Sequence, residues 1–334
     1  RSFAAPFTAA ACEAAVAAFD TSSASGRDVI AWPGEAFADA LMMRVTGGFN
    51  ALVRAGRAPG LAALYPPPPL PPVDALAAAM PAVLADPQRD AELLGWLAGP
   101  PQTNEVARSG VLMPGLMVIA DRTGLPLRLF ELGCSAGLNL NLDRFGYDLG
   151  GLQTGDAGSP VQISPVWTGT LPPAADVMVV SRRGVDLNPL DVAGAGVGER
   201  LMAYVWPDQP ERVARAAAAI GLAQALPPPI ERGDAADWLE ANFAAQAGTA
   251  SVVFHSIAFQ YFPPATKARI AAHLAATGSA ARAQAPVAWL RFEMDDASLA
   301  QLPVLRLTLW CGGPAVEHLL ARAHPHGTFV QWQD

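Results

Sequence analysis

Lysine is almost absent from this chain: Lys267 is the only one among 334 residues. Arginine carries nearly all the positive charge, and the formal net charge is −8. A general nucleic-acid or membrane-surface binder needs a basic face, so the chain is read as neither. Charged residues are few, 16% against 51% hydrophobic, which excludes a disordered chain and promises a large core. Cysteine is scarce as well. Cys12, Cys134 and Cys311 are odd in number and lack metal spacing, so a disulfide framework is excluded and a reducing, cytoplasmic compartment is expected. No metal site is expected. No apolar run reaches the length of a membrane span, and Glu13 interrupts the stretch around Ala9 to Ala18, which argues against a signal peptide.

What the chain does contain is alanine, proline and alternating pattern. Ala11–Phe19 is Ala-rich, and Gly34–Leu52 places Phe37, Leu41, Val45 and Phe49 near helical spacing. Pro66 to Pro69, with Pro71 and Pro72, form a stiff connector, and Asp74–Leu84 reads as a further helix. The N-terminal part, 1–104, is expected to be a helical extension or cap. A helix over Asn104 to Asp121 then leads into residues 105–334, where strand and helix signals alternate.

The most informative run is Leu127-Arg-Leu-Phe-Glu-Leu-Gly-Cys-Ser-Ala-Gly-Leu-Asn-Leu140. Its first half reads as a buried strand ending in Glu131. Its second half, Gly133 to Gly137, is a glycine-bracketed turn expected to open a helix to about Phe145. Such a turn lets a ligand approach the backbone closely. An acid two residues before the first glycine suits a ligand carrying an amine rather than a pyrophosphate. Residues 147–180, rich in Gly, Pro and Thr, are read as an inserted hairpin or flap.

Further strands are expected to end at Asp186, at Ile230–Arg232, at His255 and at Glu293. Val304–Trp310 and Thr328–Trp332 are expected to close the sheet as an antiparallel pair. This alternation implies an α/β doubly wound, Rossmann-like sheet of about seven strands with both faces covered, and a ligand at the strand C-termini. Asp186 stands where an acid would accept from ribose hydroxyls, and Asp234 where one would accept from an adenine amino group.

With these pieces in order, the chain resembles the class I S-adenosylmethionine-dependent methyltransferases. Glu131-Leu-Gly-Cys-Ser-Ala-Gly137 resembles their first motif and Gly184-Val-Asp-Leu-Asn-Pro189 the second. Gly233-Asp-Ala-Ala-Asp237 resembles the third and Phe254–Pro264 the fourth. The whole chain is also similar to an uncharacterised bacterial family with such a core and a helical N-terminal extension. The resemblance implies S-adenosylmethionine as cofactor. It assigns Glu131, Gly133, Ser135 and Gly137 to the methionine portion, Asp186 to the ribose and Asp234 to the adenine. One departure stands out. The ribose acid is expected ~20 residues beyond the glycines, yet Asp186 lies much further on. The insertion accounts for this if the sheet stays intact; otherwise Asp143 or Asp148 takes the role.

Methyl transfer needs alignment more than acid–base chemistry. His255 at the end of the fourth strand is the first candidate base or acceptor-positioning residue. Tyr261 and Glu105 are the other catalytic candidates. Arg108 and Arg291 are candidates for an acidic acceptor, Trp206 for adenine stacking, and one histidine of His324-Pro-His326 for facing the site. A capped site without a basic surface implies a small-molecule acceptor.

Two other function classes compete. Gly133-Cys-Ser-Ala-Gly137 also spells the nucleophile elbow of serine hydrolases, with Ser135 as nucleophile. Its triad would draw on Asp295 or Asp296 and on His318, His324 or His326. The third class is a non-catalytic nucleoside-binding module.

Overall fold

A computed structural model of the protein describes residues 5–66, 69–295 and 302–333. In chain order, the N-terminal helices are α1 (Pro6–Ala18), α2 (Ala24–Ile30), α3 (Leu41–Arg54), α4 (Pro59–Ala62), α5 (Val73–Leu84) and α6 (Pro87–Leu97). Helix α7 (Ser109–Thr123) leads into strand β1 (Leu127–Leu132). After a 3₁₀ stretch come β2 (Gly146–Leu149), β3 (Leu152–Gly155), β4 (Gln162–Ile163), β5 (Val166–Thr168) and β6 (Val179–Asp186). Then follow α8 (Val197–Ala203), α9 (Pro210–Ala225), β7 (Ile230–Arg232), α10 (Ala235–Asn242) and β8 (Ala250–Ser256). The chain closes with α11 (Pro264–Ser279), β9 (Val287–Glu293), β10 (Val304–Trp310), β11 (Val316–Ala323) and β12 (Phe329–Trp332).

The chain divides into two compact units, 1–103 with 194–217, and 104–193 with 218–334. The first is helical. Its core gathers Phe7, Val45, Phe49, Leu76, Met80 and Leu93 from successive helices. Polar groups from distant sequence tie it together. Asp208 accepts the N–H groups of Phe7 (2.9 Å) and Thr8 (3.3 Å), capping a helix that has no cap of its own. Asn50 donates its side-chain amide to the carbonyls of Ala203 and Val205. The helix expected from Gly34 begins instead at Leu41, because Ala40 takes a left-handed conformation and Phe37 stays exposed.

The second unit is built on a nine-stranded sheet of order β5-β12-β11-β10-β9-β8-β1-β6-β7. Strands β7, β6, β1, β8 and β9 run parallel, and β10, β11 and β12 continue the sheet antiparallel. Alternation sends neighbouring residues of one strand to opposite faces. On one face Leu290 and Leu305 meet Gly115 of α7. On the other, Phe130, Val253 and Trp289 share a core with Trp238, Leu239, Ile270 and Leu274 of α10 and α11. Helices therefore cover both faces of the parallel part, as near-continuous apolar strands require.

Two expectations about the sheet need correction. It has nine strands, not about seven, and β10 does not pair with β12. Strand β11, Val-Glu-His-Leu-Leu-Ala-Arg-Ala, lies between them and is antiparallel to both. Its polar residues near the edge mask its strand pattern. The stretch 146–163 forms its own three-stranded sheet, β3-β2-β4, while β5 joins the large sheet beside β12. The large sheet stays continuous across the insertion, with β1 paired directly to β6.

Candidate functional site

The parallel strands build outward from β1 to β6 and β7, then the chain crosses back to place β8 and β9 on the other side of β1. The strand order thus reverses between β1 and β8. At such a switch point the loops leaving neighbouring strands diverge and open a crevice at the carboxyl ends.

Glu131 stands at this edge, 3% exposed, with Oε2 buried and without a hydrogen-bond partner among the described residues. Burial pushes its carboxyl well above the usual range, and repulsion from Asp186 adds to this, while the Arg108 guanidinium partly offsets it. Burial likewise raises the Cys134 thiol, with Glu131 and Asp186 adding to the effect, so this cysteine is held as an inert thiol.

The glycine turn departs from a phosphate cradle. Five of its amides are bonded within the protein. Gly133 and Cys134 donate to the Val185 carbonyl, and Ser135 donates to Asp186 Oδ2 at 2.8 Å. Gly137 donates to the Cys134 carbonyl, and Leu138 to Asn104 Oδ1. The helix expected after the turn is a 3₁₀ stretch, Leu138–Arg144, too short and irregular for a strong terminal dipole. Gly133 is required by space: a Cβ there would lie 2.7 Å from the Ala258 side chain. Ser135 adopts φ +54°, and its buried hydroxyl has no partner among the described residues. Asn139 Oδ1 is buried and unpartnered too, while its Nδ2 donates to the Glu105 carbonyl.

Asp186 ends β6 with both oxygens on backbone N–H groups, those of Ser135 and Asn188. It holds the glycine turn against the second strand. Asp143 and Asp148, the alternatives considered for the ribose, are engaged elsewhere. Asp143 pairs with Arg182, and Asp148 accepts from Gly151 N–H in the β2–β3 hairpin. Asp234 is a helix cap: Oδ1 accepts from Ala236 and Asp237 N–H, and Thr266 donates to Oδ2 at 3.3 Å. These three donors give Asp234 a structural role at the start of α10 and leave its carboxylate one lone-pair site for a further donor.

His255 is not a free base. It is fully buried on the face of the sheet opposite Glu131, since β8 pairs Phe254 with Glu131 and alternation turns the next residue away. Trp289 Nε1–H donates to His255 Nε2 at 3.0 Å, which fixes the proton on Nδ1, and Nδ1–H donates to Glu293 Oε1 at 2.7 Å. The same Glu293 oxygen accepts from Ala258 N–H and Phe259 N–H. Glu293 Oε2 is buried and has no partner among the described residues. These bonds pin the loop after β8, where Ile257 is held at φ +49°, a strained value for a β-branched residue.

Tyr261 is on that loop but 74% exposed, so it does not line an enclosed pocket. Phe259 stacks on His255 at 4.6 Å. Glu105 is buried and accepts Ala107 N–H through Oε1, starting the 3₁₀ turn Val106–Arg108. Arg108 clips two loops of the edge together, donating to the carbonyls of Ser256 and Pro325. This brings the His324–Gly327 loop to the same edge, with Gly327 pressed on the Ala107 carbonyl. Arg291 instead pairs with Glu317, and Trp206 lies in the helical unit under the Arg212 guanidinium.

Residues 1–332 match the profile described as an uncharacterized protein conserved in bacteria, DUF2332. The chain belongs to that family. No curated protein and no solved structure matches it. For this member of DUF2332, the edge residues that sequence reasoning missed are Asn104, Asn139 and Glu293. Only Glu293 left a trace, as the acid closing an apolar strand. Among the described residues no cluster of His, Cys, Asp and Glu is placed to hold a metal ion, and no described helix is long and apolar enough to cross a membrane.

Proposed function

We propose that the chain binds S-adenosylmethionine and transfers its methyl group to an O or N nucleophile of a small molecule. The observation that carries this proposal is Glu131, a buried carboxylate with an unpartnered oxygen at the point where the strand order reverses. Burial favours the protonated acid in the empty chain; a ligand ammonium there would supply the missing donor and a compensating positive charge, and so favour the carboxylate. The rest of the edge fits the same demand. The amides of Gly133, Cys134, Ser135, Gly137 and Leu138 are bonded within the protein, while the edge offers acceptors (Glu131 Oε2, Asn139 Oδ1), which suits an amine better than a pyrophosphate. The reversal of strand order between β1 and β8, within the parallel run β7, β6, β1, β8 and β9, supports a ligand at this edge.

When bound, the cofactor supplies an electrophilic methyl group on a sulfonium. Glu131 holds the amine, and Gly133 and Gly137 allow close approach. Asp186 accepts from the ribose hydroxyls through its remaining lone pairs while it anchors the turn. Arg108 and the loops it joins exclude water from the reacting groups.

The test is calorimetric titration with S-adenosylmethionine and S-adenosylhomocysteine, with NAD and ATP as controls. Selective micromolar binding that is lost in Asp186→Ala is the expected result. Absence of selective binding removes the proposal. Binding without transfer to any acceptor would leave a nucleoside-binding module.

One observation favours a second function, a serine hydrolase: Ser135 sits on a strained turn after β1 at φ +54°. Its hydroxyl, however, has no partner to take its proton. Asp295 is paired with Arg306, Asp296 lies outside the described residues, and His318 contacts Arg122 at 2.7 Å.

A further inference from the structure

We infer that Glu293 is the acceptor-binding carboxylate of this site and that the acceptor is a small protonated amine. The inference goes deeper into the methyltransferase proposal and rests on it for the transfer step, but not for amine binding.

Glu293 uses its two oxygens differently. Oε1 is saturated by the N–H groups of His255, Ala258 and Phe259. Oε2 is buried with no partner among the described residues, although the side chain keeps 12% of its surface open. A carboxylate oriented through one oxygen and vacant at the other is arranged to receive a donor from outside the protein. The nearby cations are committed. Arg291 pairs with Glu317, and Lys267 donates to the Gln260 carbonyl and lies over the Phe259 ring.

Position supports the same role. Glu293 ends β9, and the loop it grips runs against the glycine turn, where Ala258 and Phe262 close on Gly133. The strain at Ile257 is the cost of holding that loop in place. Two acids thus serve different partners at one edge: Glu131 on the α7 face and Glu293 on the α11 face.

The transfer step balances. Glu293 Oε2 takes one proton from the acceptor ammonium. The freed nitrogen pair forms the N–CH3 bond as the C–S bond breaks, and that bonding pair stays on sulfur. The products are a protonated Glu293, a methylated ammonium and a neutral thioether. Glu293 then returns its proton to water.

The experiment titrates the full chain with benzylamine, benzyl alcohol and benzoate in the absence of cofactor, and repeats the titration on Glu293→Gln. Gln keeps a carbonyl for the loop donors and converts the vacant acceptor to a donor, so the loop is retained while the site is inverted. The expected result is binding in the order benzylamine, benzyl alcohol, benzoate, with benzylamine weakened at least tenfold by the substitution. Benzoate binding as well as benzylamine in the wild type overturns the inference without recourse to any variant. Unchanged benzylamine affinity in a folded Glu293→Gln does the same. Amine selectivity that persists in a chain unable to bind S-adenosylmethionine sinks the methyltransferase proposal and leaves the Glu293 site standing.

Discussion

His255 donates Nδ1–H to Glu293 Oε1 at 2.7 Å while its other nitrogen is closed by the Trp289 indole. The histidine is therefore a fixed neutral donor, and the reactive capacity of the pair resides on the acid.

Removing that acid leaves three donors unsatisfied. Glu293→Ala is expected to lower stability by roughly 2–3 kcal/mol, the range for orphaned buried donors. Glu293→Gln, which keeps an acceptor, should cost less than half as much. Urea denaturation midpoints of the two variants check this; equal losses would show that the loop does not depend on the carboxylate.

Glu131 yields a pH prediction with a definite sign. Its folded carboxyl titrates well above the ordinary glutamate value of 4.5. Above pH 4.5 the unfolded chain gives up this proton while the folded chain keeps it. Stability from this group is then lost as pH rises toward the folded value. Glu131→Gln should match the wild type near pH 4 and exceed it increasingly toward pH 8. A constant difference across that range would refute the assignment.

Asp186 and Asp234 separate binding from scaffolding. Asp234→Ala removes a helix cap and should cost about 1 kcal/mol, with Asp234→Ser restoring most of it. Neither should change S-adenosylhomocysteine affinity by more than about twofold, an order-of-magnitude bound. Asp186→Ala should reduce that affinity by tenfold or more. A large loss from Asp234→Ala would return Asp234 to the adenine.

Ser135 stores strain and carries a buried hydroxyl without a partner. Ser135→Gly relieves both, against the added entropy of the unfolded chain, and should raise stability by up to about 1 kcal/mol. A clear loss of stability in thermal melts would mean that the hydroxyl has a partner in solution.

Strands β8 and β9 were legible because each is a short, mostly apolar run with polar residues at its end; β6 was legible only at its Gly-Val-Asp end. Glu131 was legible as the acid near the end of β1, Gly133 as the turn residue after it and Asp186 as the acid that ends β6. Strand β11 was not, since Glu317 and His318 break its apolar signal near its start. The 3₁₀ stretch after Gly137 also escaped, because Leu138, Leu140 and Leu142 alternate at a spacing that suits neither a long helix nor a strand. The bonding of His255 depends on Trp289 and Glu293 in the next strand, a cross-strand relationship that no local pattern records. Asp234 was ambiguous for a physical reason: an acid just before a helix is both a good cap and a good ligand.

The helical unit borrows residues 194–217, and Asp208 caps α1 across a separation of 201 residues. On a ribosome adding about 5–20 residues per second, α1 would wait roughly 10–40 s for that carboxylate to be synthesised. The amino-terminal helices must therefore persist unfinished while the first three strands of the large sheet, β1, β5 and β6, are made. An isolated 1–103 fragment lacks both the carboxylate that caps α1 and the carbonyls that hold Asn50.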